Sequence, residues 1–309
     1  METVIARLSA LGERQFEVER EARGYIEGVL KSHNVFYKTE PFPVFLPDVK
    51  RCELEVDGKS IPCASTSFVG GEIRNNHNIV SSLISSQHFL YQPNINFNPV
   101  CEVISKSNFY FAPSVAIKRG DVTKVIEARK VLGKVEVIKR KHYCANILVG
   151  NIKDPRTVVF SHYDSLENGA IDNASGTAAS LYIILKYPSV LESTLFVLSG
   201  NEEISYDEPV YWGHGYRRFE ERYPDVLRKA RKIFVLDSLG HSSAEFMKGP
   251  EITRLGFPVK EIDRLHKKVT IVAGSIDDLM KVYHSCNDLP SGVHTKKILS
   301  ATRKVLAEL

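Results

Sequence analysis

The segments TVVFSH (157–162), TLFVLSG (194–200), KIFVLDSLG (232–240) and VTIVAG (269–274) each contain a run of apolar or β-branched residues with no polar alternation. A strand with one wet face alternates polar and apolar side chains. A run that is apolar throughout is buried on both faces, which calls for a largely parallel sheet covered by helices on either side. Helical stretches do stand between these runs: one over NASGTAASLYIILKY, one running to about 224, and a closing one over SGVHTKKILSATRKVLAEL. The pattern predicts an α/β fold of three layers, α/β/α, with a mixed central sheet.

The amino-terminal part adds a helix and a strand. Over 14–32 the apolar residues Phe16, Val18, Ala22, Ile26, Val29 and Leu30 recur near the helical period, so a long amphipathic helix opens the fold. The stretch VFYKTEPFPVFLP then reads as a strand that gives way to a loop at Pro41, Pro43 and Pro47. From 48 to 130 the texture changes to short β-like pieces punctuated by Gly, Asn and Pro. Farther on, KVEVIKRK and ANILVGNI read as separate strands. The expected organisation is therefore a catalytic-type domain from 1–47 and 131–309 with a smaller β-rich insert at 48–130, and 309 residues suffice for both.

Bulk properties exclude some functions. With 41 basic and 37 acidic residues the net charge is +4, and no long basic run appears, so nucleic acid is not an expected partner. No stretch reaches the roughly 20 apolar residues that span a bilayer, so no membrane partner is expected. The five cysteines are widely spaced and form no CxxC motif, which reads as free thiols in the cytoplasm.

Ligands of such folds gather at the carboxyl ends of the strands. There the chain places His162 and Asp164 after one apolar run, Glu202 and Glu203 after the next, and Asp237 after the third. Asp172 precedes a helix and His284 lies in a loop before the last one. Singly, each has a plainer reading: a structural histidine, first-turn carboxylates favoured by a helix dipole, a helix-start aspartate, a turn former. Together they would repel one another unless a cation neutralised them. Imidazole with carboxylate suits zinc, and a bridging carboxylate allows two ions about 3.5 to 4 Å apart.

These residues carry a resemblance. His162-Tyr163-Asp164-Ser165, Gly169-Ala170-Ile171-Asp172-Asn173-Ala174-Ser175-Gly176, Glu202-Glu203, Val235-Leu236-Asp237 and Tyr283-His284 resemble the di-zinc aminopeptidases, whose wider group includes glutamate carboxypeptidase, glutaminyl cyclase and the transferrin receptor. The likeness covers about 134–309 and the opening helix; 48–130 only loosely resembles a protease-associated insert. It implies two zinc ions per chain, with cobalt or manganese as alternatives. Asp172 would bridge them, His162 and Asp237 completing one and Glu203 and His284 the other. Glu202 would be the general base, Asp164 a supporting catalytic carboxylate, and the peptide after Asp172 cis. The implied activity is removal of residues from peptides with a free N-terminus. Oligomerisation is one way such enzymes restrict access, and the sequence leaves it open. Alternatives within the resemblance are a one-zinc glutaminyl cyclase, a carboxypeptidase, or a scaffold without chemistry.

The chain departs from the family pattern after Glu203, where ISYDEPVYWGHGYRRF replaces a Gly-rich segment. Trp212, Tyr216, Phe219 and Tyr223 within it and beyond are spaced as a helical stripe and read as core. Arg217 and Arg218 lie where a carboxypeptidase would need a clamp but receive no role, and neither does Cys286.

Overall fold

The computed structural model describes the whole chain except Asn76 and Ser85. It contains two compact units: Met1–Val44, Tyr143–Leu279 and Asp288–Leu309 form the first, and Phe45–His142 with Met280–Asn287 the second.

The sheet of the first unit runs in the order Glu245–Met247, Val269–Ala273, Lys232–Leu236, Thr157–His162 and Thr194–Ser199. The strands Val131–Gly150 and Tyr37–Val56 follow, and both continue into the second unit. The four apolar runs are the parallel centre of this sheet, and the two pairings that flank them are antiparallel. The sheet is thus mixed, as the sequence predicts. Side chains along each central strand alternate between two cores. Val159, Phe196, Leu198, Phe234 and Leu236 pack with the helices Glu2–Ser9, Phe16–Ser32, Gly176–Lys186 and Thr295–Leu306. Val158, Phe160, Leu195, Val197, Ile233 and Val235 pack against His214–Arg222, Pro224–Lys229, Pro250–Gly256 and Ile262–Leu265. Burial on both faces explains why these strands carry no polar alternation.

The aromatic stripe is core where it matters most. Tyr216 and Phe219 are buried, their rings meeting Phe160 edge-on with centroids 5.3 Å away in both cases. Trp212 instead donates its indole N–H to the Leu255 carbonyl at 2.9 Å.

Three boundaries differ from the sequence reading. The strand Tyr37–Val56 runs straight through Pro41, Pro43 and Pro47. Pro41 and Pro43 point outward between buried Phe42 and Val44, and beyond its pairing with Val131–Gly150 the strand pairs only at Glu55 and Val56 among the described residues. An edge position asks no N–H of a proline. KVEVIKRK and ANILVGNI are one strand, Val131–Gly150, which alternates at its start, runs on through a largely exposed charged middle at 136–141 and ends buried. The helix expected after Thr194–Ser199 begins only at His214, leaving 200–213 irregular.

The second unit has its own four-stranded sheet, in the order Ala64–Ser65, Ser114–Ile117, Asn94–Phe97 and Asn78–Ser81. Its core is built from Leu54, Val56, Ile73, Ile95, Val115, Ile117, Val131 and Val135. A turn at Asp57 and Gly58, both at positive φ, pairs Glu55 with Ser60 and Val56 with Lys59. The same register carried outward brings the first two cysteines into contact, with Cys52 Sγ and Cys63 Sγ 3.5 Å apart. All five cysteines are thiols. Among the described residues no helix is long and apolar enough to cross a membrane.

Candidate metal centre

The carboxyl ends of three adjacent parallel strands deliver the polar groups. His162 is the last residue of Thr157–His162 and stands in register beside Ser199, the end of the neighbouring strand. Asp237 follows directly on Lys232–Leu236. His162 Nε2 lies 3.3 Å from Asp172 Oδ1 and 3.6 Å from Asp237 Oδ1. One donor atom from each of these three side chains falls within 4.8 Å of the others, and a carboxylate oxygen of Glu203 lies within the same limit of Asp172. His162 and Asp172 are buried, and Nε2 has no hydrogen-bond partner among the described residues.

The electrostatics of this point call for positive charge. Burial alone would lower the His162 imidazole, yet Tyr216, Asp237, Asp164 and Asp172 around it outweigh that and raise it well above its ordinary value. Desolvation pushes the Glu202 carboxyl well above the carboxylate range; His162 opposes this, and Glu203, Asp237 and Asp164 add to it. A divalent ion among these oxygens and the orphaned imidazole nitrogen answers the same demand. One nitrogen and two carboxylates within 4.8 Å suit zinc.

Asp164 does more than the sequence reading assigns. Its Oδ1 lies 3.4 Å from His162 Nδ1, as expected of a group that orients a metal-binding imidazole. The same carboxylate also accepts the backbone N–H of Glu202 at 2.9 Å and of Glu203 at 3.1 Å, and Gln15 Nε2 donates to it at 3.3 Å. One buried anion therefore anchors both the histidine and the two glutamates.

Asp172 is delivered by the bend between Gly169 and Gly176, and its peptide bond to Asn173 is cis, as the resemblance implies. Asn173 Nδ2 donates to the Leu236 carbonyl at 2.8 Å, and its Oδ1 accepts Gly176 N–H at 2.9 Å and Ser238 N–H at 3.3 Å. This ties the Asp172 bend to the strand end that carries Asp237. Gly176 is obligatory: a Cβ there would sit 2.3 Å from the Leu236 carbonyl oxygen. Fully buried Arg14 donates to the carbonyls of Tyr163, Asn168 and Gly169 at 2.6, 2.9 and 2.9 Å. Burial lowers its guanidinium to about 10, with Asp164, Glu203, Asp288 and Asp172 pulling the other way. Asp288 accepts two amides of the bend, and burial raises its carboxyl to about 7 against those hydrogen bonds.

The irregular stretch after Glu203 is closed at its neck, where Gly213 N–H donates to Glu202 O at 2.5 Å and Gly215 N–H to Asn201 O at 2.6 Å. Within it, Asp207 accepts from His214 Nδ1 at 2.7 Å and Arg217 Nε at 2.8 Å. The remaining Arg217 nitrogens donate to the Pro258 and Val210 carbonyls, both at 2.9 Å. Arg218 pairs with Glu221.

His284 belongs to the segment Met280–Asn287 of the second unit. It is buried, its carbonyl accepts Lys106 N–H at 3.0 Å, and its Nδ1 lies 3.2 Å from Lys106 O. Holding Nδ1 in this way fixes which ring nitrogen is available for coordination. Arg14, Gln15, Asp207 and Asp288 have no signature in the sequence, because each is recognised only by partners it meets in the folded chain.

The segment 145–254 matches peptidase family M28. It contains His162, Asp164, Asp172, Glu202, Glu203 and Asp237. The fold is similar to that of BSAP, a zinc aminopeptidase from Bacillus subtilis, with a TM-score of 0.68 at 16% identity, over 98% of this chain and 92% of that one. An aminopeptidase from Aneurinibacillus sp. strain AM-1 aligns with a TM-score of 0.62 at 15% identity, covering 97% and 90%. A glutaminyl cyclase from Fimbriiglobus ruber aligns with a TM-score of 0.54 at 12% identity, covering 99% and 92%. At these identities the likeness is one of fold. Among curated proteins, none matches the sequence.

Proposed function

We propose, from the match of residues 145–254 to peptidase family M28, that the protein is a di-zinc aminopeptidase that cleaves the first peptide bond of substrates with a free N-terminus. The observation that carries the reading is the convergence of His162, Asp172 and Asp237 donor atoms within 4.8 Å, beside a glutamate pair held by Asp164.

His162, Asp172 and Asp237 would hold one ion. Asp172 with Glu203 and, by the family resemblance, His284 would hold the second. Such ions supply a nucleophilic water that ionises near neutral pH and polarise the scissile carbonyl. Glu202 accepts the proton of the attacking water and passes it to the leaving amine. Desolvation suits it to that task, since a raised carboxyl retains a proton closer to neutrality. Asp164 keeps Glu202 and Glu203 in register through their amides, so that one stays a base and its neighbour a ligand. The surplus of carboxylates also offers a partner to a substrate ammonium group.

A specific observation favours an aminopeptidase over a carboxypeptidase. Binding a terminal carboxylate calls for a basic clamp. Arg217 is committed to Asp207 and two carbonyls, and Arg218 pairs with Glu221. The cyclase reading keeps the same donors and differs in outcome, cyclisation of an N-terminal glutamine in place of hydrolysis. We also place the protein in the cytoplasm, where thiols persist. The test is a panel of aminoacyl chromogenic amides, acetylated counterparts and an N-terminal glutaminyl peptide, each with and without chelator. Chelator-sensitive hydrolysis of free but not acetylated termini supports the proposal; cyclisation without hydrolysis, or activity indifferent to chelator, refutes it.

A further inference from the structure

The bend that carries Asp172 is held by two buried side chains distant in sequence, a guanidinium and a carboxyl group. Arg14 gathers the carbonyls that precede it, at Tyr163, Asn168 and Gly169. Asp288 gathers the amides: Oδ1 accepts Ile171 N–H at 2.7 Å and Oδ2 accepts Asp172 N–H at 3.0 Å, while the Asp288 carbonyl lies 3.4 Å from Ala170 N. We propose that Asp288 is the positioning residue for Asp172, setting the zinc affinity of the centre by fixing the peptide plane from which the Asp172 carboxylate projects; this rests on the zinc-peptidase reading above.

The choice of residue type follows from hydrogen-bond arithmetic. Two adjacent N–H groups need two acceptors at one side-chain terminus. A carboxylate provides both oxygens, whereas an amide has one acceptor and one donor, and its NH2 would confront an N–H. The arrangement is electrostatically awkward, because it buries a second carboxylate close to a cluster of others. General stability does not explain why an anion should stand there. Accurate placement of a ligand does, since groups that orient metal ligands typically govern affinity by roughly 10- to 100-fold. With Asn173 tied to the Leu236 carbonyl on the far side, Asp172 is clamped on both flanks.

Zinc affinity of the full-length apo-protein, measured by competition with a fluorescent zinc chelator, tests this with Asp288→Asn and Asp288→Glu. The first removes charge and one acceptor; the second keeps the charge and displaces the oxygens. Both variants are expected to keep the native circular-dichroism spectrum, to bind zinc roughly 10- to 100-fold more weakly, and to regain hydrolytic activity as zinc is raised. Wild-type affinity in Asp288→Glu would mean that only charge counts, and unchanged affinity in Asp288→Asn that the contact is idle. Variants that fail to fold would assign Asp288 to the fold. Each of these overturns the proposal. A wild-type protein that binds no zinc sinks the peptidase reading and this inference with it, whereas wild-type binding with unaltered variants sinks this inference alone.

Discussion

The Asp164 carboxylate accepts the backbone N–H of Glu202 at 2.9 Å while its Oδ1 stands 3.4 Å from His162 Nδ1. A single buried anion thus couples the end of one strand to the loop that follows its neighbour. Truncating it to Ala should disturb both. Asp164→Ala is expected to weaken zinc binding by roughly 10- to 100-fold and to lower kcat even when zinc is saturating, because Glu202 loses its anchor. Chelator competition alongside steady-state kinetics checks this; a variant fully rescued by excess zinc would show that Asp164 serves the histidine alone.

Glu202 acts on a proton in the proposed mechanism. Glu202→Ala should retain its metal and lose roughly 10²- to 10⁴-fold in kcat. Metal analysis of the dialysed variant together with its turnover decides the matter. Loss of zinc, or an undiminished rate, would remove Glu202 from the role of base.

Asp172 is predicted to behave in the opposite way. Asp172→Ala removes a carboxylate that offers an oxygen within 4.8 Å of donor atoms of both His162 and Glu203, so both ions should be lost and activity with them, without recovery on adding zinc at concentrations that saturate the wild type. Retention of even one tightly held ion per chain would show that Asp172 does not bridge.

Asp207 gives a prediction in pH. Burial opposes its charge, but the His214 and Arg217 hydrogen bonds prevail and hold the carboxyl well below the usual range. A depressed folded pKa contributes stability above the unfolded value of about 4 and loses it as the pH falls below that. Asp207→Asn should therefore be less stable than wild type by about 1 to 3 kcal/mol near neutrality, where Arg217 loses its charged partner, and the gap should narrow in acid. Denaturant titrations at about pH 7 and about pH 3 measure it; a gap that widened in acid would reverse the assignment.

The thiols should react in an order set by burial. Cys286 is exposed, Cys52 and Cys63 are half-buried, and Cys101 and Cys144 are fully buried. A thiol reagent is expected to modify one cysteine first and two more slowly, leaving the last two until denaturant is added. Mass spectrometry of time points identifies them, and early labelling of Cys144 would contradict the packing around the sheet.

The layered fold and the chemistry at its edge were legible from the chain because both are written locally. A strand buried on two faces shows its apolar run in four or five neighbouring residues, and a His or Asp that closes such a run is visible beside it, as with His162 and Asp237. Arg14, Asp288 and Arg217 were not legible. Arg14 meets Tyr163 across 149 residues and Asp288 meets Ile171 across 117, and nothing near any of them distinguishes a buried clamp from a solvated surface charge. The same limit explains the strand through three prolines, since whether a missing N–H matters depends on an edge that only the assembled sheet defines. Hydrophobic pattern is a property of neighbours in sequence. Hydrogen-bond satisfaction in a buried site is a property of neighbours in space, and tertiary structure alone decides it.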